Sequence, residues 1–538
     1  MSINLLSTIT FLPLIGMALV LVLPGERKGL IRWVSVAFSL IPFALSLNLL
    51  FSAYQFPPQG TYLFEEKMAW FPQVNATYHL GVDGLSIPLV ILTTFLTPLA
   101  MLISMSVEKD VKAYYALFFL LETAVIGAFV SLDLLLFFVF YEASLVPMFF
   151  LISQWGGANR RYASLKFILY TMFASLGMLL AIQVVGLASG SFDLPYLTSE
   201  IGRPFVGKNQ VNIFQGAQQV WPVIAFVSFS VAFALKIPIW PLHTWLPDAH
   251  TEAPTGGSMM LAGILLKLGG YGFLRMVLPL FPQAAREFAP VLGVLAMLSI
   301  VLGAFAAWGQ NDFKKLVAYS SVNHMGFVAM GIAVAASAMG GAVAAHAPDP
   351  HAVAEGAHAA AAGYTGEALI ESARIAGNGA VLQMITHGLS SAAMFAVVGI
   401  VYERAHTRDL TKLGGLWTIM PKYGAILIFC AMGSLGLPGL AGFVSEFLVT
   451  RGAWGSEFTL LTVLSMVGLL ITGIYILKSI QKVLHGPVGH EWAHHPLKDI
   501  NWVEVLGVAP LMIAMLLLGI LPSLILNPIN FSISALIR

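Results

Sequence analysis

The sequence predicts an all-α polytopic membrane protein of about 14 transmembrane helices, and three observations predict it. Of 538 residues, 58% are apolar and 10% are charged, where a soluble domain carries about 25% charged residues. The apolar residues fall in runs that reach the roughly 20 residues needed to cross a ~30 Å hydrocarbon core. Lys and Arg concentrate in alternate loops between those runs, as the positive-inside rule requires of a chain that crosses repeatedly. This composition excludes a soluble enzyme, a disordered scaffold and a nucleic-acid binder. With 27 Lys plus Arg against 26 Asp plus Glu, no basic face is left for phosphate backbones. The lone cysteine, Cys430, excludes disulfide frameworks, thiolate-held iron–sulfur clusters and CxxC redox chemistry within the chain.

Spans 1–3 lie at 3–23, 31–53 and 83–105, within an N-terminal unit 1–112. Spans 4–8 lie at 113–131, 133–153, 165–188, 219–243 and 255–280, within 113–280. Spans 9–13 lie at 288–308, 315–337, 377–402, 422–450 and 458–480, within 281–482, and span 14 at 504–526, within 483–538. The first run is not read as a cleavable signal peptide, because no positive n-region precedes it and Pro24-Gly25-Glu26-Arg27 is no small-residue cleavage site. The loops after spans 1, 3, 5, 9, 11 and 13 hold most of the Lys and Arg, among them Arg27, Lys28, Lys109, Lys112, Arg160 and Arg161. Those loops are therefore expected in the cytoplasm, with both termini on the non-cytoplasmic side. An Ala/Gly/His-rich insertion at 338–376 falls on the outer side. His346, His351 and His358 in it lack a metal-ligand spacing, and His490, His494 and His495 lack the glutamate of an HExxH helix. No metal site is expected.

Four charges sit where hydropathy says they should not: Glu142, Lys236, Lys267 and Glu446. Each is unfavourable by roughly 2.5–3.5 kcal/mol on insertion scales. His324 and His387 add two imidazoles in apolar spans, and Glu122 a further carboxylate. Structural ion pairing accounts for one buried Lys–Glu pair but does not call for imidazoles, which titrate near neutral pH. Two of the spans also carry helix breakers beside their charge. Lys236 precedes Pro238 and Pro241, and Glu446 follows Gly436, Pro438 and Gly439. Broken backbone at membrane depth is tolerated only inside protein or along a wet cavity. Interrupted spans at matching positions of two halves point to an inverted-repeat transporter. Spans 7 and 12 are five apart, so spans 4–8 and 9–13 are read as two five-helix repeats of opposite orientation, with helices 7 and 12 broken.

Burial disfavours a lysine ammonium and a nearby carboxylate favours it; at ~6 Å and an effective dielectric of ~20 the carboxylate is worth ~2.8 kcal/mol. The two effects are comparable, so movement between Glu142 and Lys236 could switch the lysine's charge. A row from Glu142 through Lys236, Lys267 and His324 or His387 to Glu446 would let protons hop across the membrane. No nucleophile–base pair, Walker loop or dinucleotide fingerprint accompanies it.

These residues stand in long motifs: FFVFYEASLVPMFFLI around Glu142, KIPIWPLHTWLPDAHTEAPTGGSMMLAGILLKLGGYG at 236–272, KKLVAYSSVNHMGF at 314–327, QMITHGLSSAAMF at 383–395, YERAHTRDLTKLGGLW at 402–417 and LPGLAGFVSEF at 437–447. Over nearly the whole chain the sequence resembles the antiporter-like membrane subunits of proton-pumping NADH–quinone oxidoreductase (respiratory complex I), which are related to multisubunit cation/proton antiporters. Within that group it is most similar to the M-type, or subunit 4. The resemblance implies the helix-5 glutamate at Glu142, its paired helix-7 lysine at Lys236, the central helix-8 lysine at Lys267, the middle histidines at His324 and His387, and the terminal acid of the M-type at Glu446. The L-type, N-type and antiporter relatives are expected to carry lysine at that last position. His243, Asp248 and His250 are the candidates for proton access. The insertion at 338–376 departs from the family pattern.

The resemblance further implies that flavin, iron–sulfur clusters and quinone belong to partner subunits, with no cofactor in this chain, and that N-type and L-type subunits and membrane lipid surround it. The expected location is a bacterial energy-converting membrane, cytoplasmic or thylakoid. Three other readings stay open on the sequence: a subunit of a Na⁺/H⁺ antiporter, the equivalent subunit of a ferredoxin-driven photosynthetic complex, and a scaffold that does not pump.

Overall fold

The computed structural model describes residues 4–54, 62–199, 220–339, 366–488, 492 and 497–537. Helices α1 (Leu5–Val22) and α2 (Lys28–Ala53) lead to an antiparallel hairpin, β1 (Leu63–Phe71) and β2 (Ala76–Val82). There follow α3 (Ile87–Ile103), α4 (Val111–Val130), α5 (Leu134–Ala143), α6 (Leu145–Trp155) and α7 (Arg160–Ser189). Next come α8 (Val220–Lys236), α9 (Trp245–Glu252), α10 (Thr255–Leu280), α11 (Pro282–Trp308) and α12 (Phe313–Ser337). The chain continues with α13 (Gly366–Ala405), α14 (Pro421–Leu435), α15 (Ala441–Ala453) and α16 (Thr459–Leu484), and then α17 (Trp502–Ile520) and α18 (Ser523–Ile537).

Among the described residues, 12 helices are long and apolar enough to cross a membrane, α5 and α6 counting as one. The two expected spans missing from that set are spans 7 and 12, the two that carry the breakers. Span 7 ends as a helix at Lys236 and restarts at Trp245; span 12 is split between Leu435 and Ala441. Gly436 and Gly439 lie between those two halves with φ of 81° and 94°, a region open to glycine and strained for other residues.

Five features differ from the sequence expectation, the first being the β1–β2 hairpin between spans 2 and 3 of an otherwise helical chain. Span 5 is interrupted at Ser144, because the Pro147 ring opposes the carbonyl four residues back, that of Ala143, where α5 stops. Inside α10, Leu261–Leu265 and Phe273–Val277 are π-helical. The second of these precedes Pro279, which has no N–H to return to the preceding turn. The described part of α13 begins at Gly366, so residues 366–376 of the insertion are helical; residues 340–365, with His346, His351 and His358, lie outside the described residues, as do His490, His494 and His495. Span 14 ends at Ile520 and is followed by the separate apolar helix α18.

Burial separates the helices into two classes. The apolar stretches of α10 and α13 are wholly buried and that of α12 nearly so, while α1, α2, α7, α11, α16 and α17 bury only about a third to two-fifths of theirs, the pattern of a bundle whose rim faces lipid. Helices α10 and α13, which carry Lys267 and His387, cross backbone to backbone, since a Cβ added to Gly388 would lie 2.8 Å from the Gly263 carbonyl oxygen. Such small-residue contacts let membrane helices approach closely.

Polar ties hold both ends. On the hairpin face, Glu66 of β1 accepts from Leu6 N at 2.8 Å and Ser7 N at 3.3 Å, satisfying the first turn of α1. Asp133 caps α5 through Leu135 N (2.9 Å) and Leu136 N (3.2 Å) and also accepts from Thr77 N of β2 at 2.9 Å. Arg275 of α10 pairs with Asp83 and donates to Tyr62 and Tyr271 hydroxyls at 3.2 Å. On the opposite face, Arg404 holds Glu504 through two bonds of 2.9 and 2.7 Å, and Asp312 caps α12.

The break in span 12 is braced by α17, where a Cβ at Gly519 would fall 2.3 Å from Gly439 O and 2.6 Å from Leu440 C. Gly519→Ala should therefore destabilise the fold by about 1–3 kcal/mol. Gly473→Ala in α16, whose Cβ would meet only Leu435 Cδ1 at 3.8 Å, should be neutral or mildly stabilising. Thermal unfolding of the detergent-solubilised assembly compares the two; equal melting temperatures would contradict the bracing.

Candidate proton-transfer site

Lys267 sits in the middle of α10, between the two π segments. Its Nζ donates to the carbonyl of Ala262, in the first of them, and lies 2.8 Å from Nδ1 of His387 on α13. The His387 and His324 rings are 5.9 Å apart between centroids. Nδ1 of His324, on α12, is 2.7 Å from Oε1 of Glu446 on α15. The other nitrogen of His324 is 3.5 Å from both Ser434 Oγ and Tyr475 OH. All four side chains are buried. Four of the six expected relay residues thus stand in one file, as two hydrogen-bonded pairs whose rings are neighbours.

A second partner holds the acid. Gln383, one turn before His387 on α13, donates from Nε2 to Glu446 Oε1 at 3.0 Å. Its amide oxygen accepts from Ser445 Oγ at 2.5 Å and Thr386 Oγ1 at 3.1 Å. Gln383, Thr386 and Ser445 leave little mark on the sequence, because uncharged polar residues barely disturb hydropathy. The available signal was spacing: Gln383 and His387 are i, i+4 on one helix face.

The Glu142 end is built differently. Lys236, the last residue of α8, is wholly buried, and its Nζ has no hydrogen-bond partner. It lies 4.9 Å from the Tyr141 ring centroid and 6.0 Å from that of Phe167, within cation–π range. Oε1 of Glu142 has no partner either, so the expected Glu142–Lys236 pair is not closed by a direct contact. Lys236 and Lys267 stand on touching backbones: a Cβ at Gly269 would meet Phe233 O at 2.6 Å and Ile237 N at 2.8 Å. Glu122 is buried in α4 with neither carboxyl oxygen partnered.

The three residues suggested for proton access lie together on the segment that follows α8 but make separate contacts. Asp248 pairs with Lys166 of α7 at 2.7 Å. His250 is fully buried, stacks on Phe395 at 4.6 Å with neither ring nitrogen bonded, and lies near Lys314 and Lys267. His243 Nδ1 is unbonded. The segment is helical only at Trp245–Glu252, after Pro238 and Pro241 have ended α8. Among the described residues no three His, Cys, Asp or Glu side chains converge as metal ligands.

Residues 131–347 and 359–472 match the family described as NADH:quinone oxidoreductase/Mrp antiporter, TM, and residues 8–132 match NADH-ubiquinone oxidoreductase chain 4, amino terminus. The chain belongs to this family. NADH-quinone oxidoreductase subunit M of Rhodobacter capsulatus is 39% identical over 99% of this chain and 96% of that one. The subunit M of Rickettsia conorii is 37% identical over 99% and 98%. A chain of respiratory complex I from Thermus thermophilus superimposes with a TM-score of 0.80 at 26% identity, covering 99% of this chain and all of that one. A chain of the Mrp complex from Dietzia, at 22% identity and a TM-score of 0.75, shares the fold over 99% of this chain and 52% of its own length. The M-type resemblance read from the motifs is therefore shown, and the chain is a multi-pass integral membrane protein.

Gln383→Leu removes the amide that donates to Glu446 while Thr386 and Ser445 still bond each other at 2.8 Å. The loss falls on one buried acceptor and should be about 1–3 kcal/mol. Gln383→Glu, which sets a second carboxylate beside Glu446, should be worse. Unfolding temperatures in detergent read both; values unchanged from the parent would mean that the amide holds nothing.

Proposed function

We propose that the chain is the proton-translocating, non-redox membrane subunit of an NADH–quinone oxidoreductase. In this reading protons move along Glu142, Lys236, Lys267, His387, His324 and Glu446, driven by quinone reduction in other subunits. The observation that carries it is the buried file joining Lys267 to Glu446 through two imidazoles.

The chemistry follows from the pairing. A lysine ammonium donating to His387 Nδ1 and a neutral lysine accepting from Nδ1–H differ by one proton moved across 2.8 Å. His324 and Glu446 offer the same two states across 2.7 Å. Each pair is at the heavy-atom separation that proton transfer needs. Handover between the pairs needs a water or an imidazole rotation, because the rings are not bonded to each other. At the other end, the Glu142 carboxylate sets the charge of Lys236 across a gap lined by Tyr141, so a small displacement changes the field at the amine. Moving one charge against 100 mV takes about 2.3 kcal/mol, and nothing in this chain supplies it.

The reading places flavin, iron–sulfur clusters and quinone in partner subunits and sets N-type and L-type homologues beside this chain in a bacterial energy-converting membrane. The Lys/Arg-rich loops face the cytoplasm, and spans 4–8 and 9–13 act as inverted repeats. His243, Asp248 and His250 give protons access from the side of α9. The acid at Glu446, where antiporter relatives are expected to carry lysine, favours the oxidoreductase over Na⁺/H⁺ exchange.

The test uses the assembled complex in proteoliposomes, with NADH oxidation and internal acidification followed together. Lys267→Met and His387→Phe should each reduce proton pumping by about tenfold or more, the scale of a lost general acid–base group, while partner subunits still co-purify. Pumping should persist in Na⁺-free medium. An unaltered proton-to-electron ratio in both variants would sink the relay, and a strict Na⁺ requirement would turn the assignment to the antiporter.

A further inference from the structure

A groove of about 790 Å³ opens on the side of the bundle where α1, α4 and α6 meet, at the Lys/Arg-rich ends of these helices. Its wall is apolar, formed by Met17 and Leu21 of α1, Leu117 and Leu120 of α4 and Phe150 of α6. From Val111 to Leu120 the helix rises about 13 Å, so the groove runs from loop level well into the depth of the hydrocarbon. Trp155 marks its upper edge, its indole N–H donating to Lys109 O at 2.7 Å, at the level where interfacial tryptophans sit.

The mouth carries charges of both signs in two different states. Lys28 and Glu108 satisfy each other at 2.8 Å, and Arg32 reaches the same carboxylate at 2.5 Å. Lys112 and Asp110 remain. Lys112 Nζ touches only the Leu21 carbonyl, at 3.2 Å, and the Asp110 side chain has no partner among the described residues, not even the start of its own helix. An uncompensated ammonium and an uncompensated carboxylate two residues apart therefore stand above an apolar slot. Another rim helix, α7, presents Phe173, Leu180 and Leu187 with no charge among them.

We propose that this groove binds a phospholipid whose headgroup carries both a phosphodiester and a terminal primary ammonium, the phosphate on Lys112, the ammonium on Asp110 and an acyl chain along Leu117 and Leu120. An anionic headgroup without an amine would satisfy Lys112 and be repelled by Asp110. A quaternary ammonium has no N–H to give the carboxylate. A primary ammonium meets both demands, and hydrogen bonds to charged groups are the stronger kind.

The experiment reconstitutes the assembled complex in phosphatidylcholine vesicles containing a trace of phosphatidylethanolamine with a diazirine in its acyl chain, and maps the photolabel by peptide mass spectrometry. Label should concentrate on the segments around Leu117 and Phe150, and unlabelled phosphatidylethanolamine should displace it about tenfold better than phosphatidylcholine or phosphatidylglycerol, one charged hydrogen bond's worth of discrimination. Lys112→Gln should weaken labelling by a similar factor, and Asp110→Lys should shift the preference to phosphatidylglycerol. Both positions are at the surface, and co-purification of the partners checks that the assembly survives. Equal displacement by all three lipids, label indifferent to both substitutions, or cross-links from this wall to a neighbouring subunit in place of lipid would each overturn the proposal.

Discussion

An ionisable group in hydrocarbon has no water to satisfy it, and that constraint orders the molecule. Lys267, His324, His387 and Glu446 each find a partner in another buried side chain or in the backbone, whereas Lys236 Nζ and the Glu122 carboxyl, equally buried, find no hydrogen bond. The three helices that carry Lys267, His324 and His387, α10, α12 and α13, are accordingly the most completely surrounded by protein. The rim helices, which meet lipid, carry the exposed apolar side chains.

The same constraint explains why irregular backbone is concentrated beside the charges. The π turn before Lys267 contributes the Ala262 carbonyl as a ligand for the amine, as a membrane helix can do only where protein covers it. The split of span 12 sits under α17, with Gly519 closing on the exposed backbone of Gly439 and Leu440. At the two faces, where water returns, the ties become ordinary caps and ion pairs: Glu66 on α1, Asp133 on α5, Arg404 on Glu504.

Helix positions were legible because hydropathy sums over some 20 residues, and Lys236, Lys267, Glu142 and Glu446 were legible because each violates that sum. The breaks at Pro238 and Gly436 were legible because Pro and Gly act locally. Pro147 carried the same information about Ser144, yet its run reads as uniformly apolar and its effect falls four residues upstream. Gln383 and Ser445 were hidden, since an amide or hydroxyl shifts a 20-residue average very little. The hairpin was hidden for another reason. It pairs Met68 with Tyr78, but β1 buries only Glu66 while β2 buries consecutive residues on both faces, so neither strand shows period-two alternation and the register depends on contacts to α1 and α5 far along the chain.

The two ends of the proposed relay are unequal, and the inequality has a physical direction. Glu446 is fixed by His324 and Gln383, and Gln383 is in turn fixed by two hydroxyls, so that end is a preorganised acceptor. Lys236 has only ring faces near its amine and ends a helix that two prolines have interrupted, while Glu142 lies just before the discontinuity at Ser144. The Lys236 amine, which shares no hydrogen bond, moves at little energetic penalty, and a carboxylate joined to two partners does not. In the proposed relay a change in helix position would therefore be read at Lys236, where the distance to Glu142 sets the field at an unbonded amine, and the proton would settle at Glu446, where the geometry is already in place.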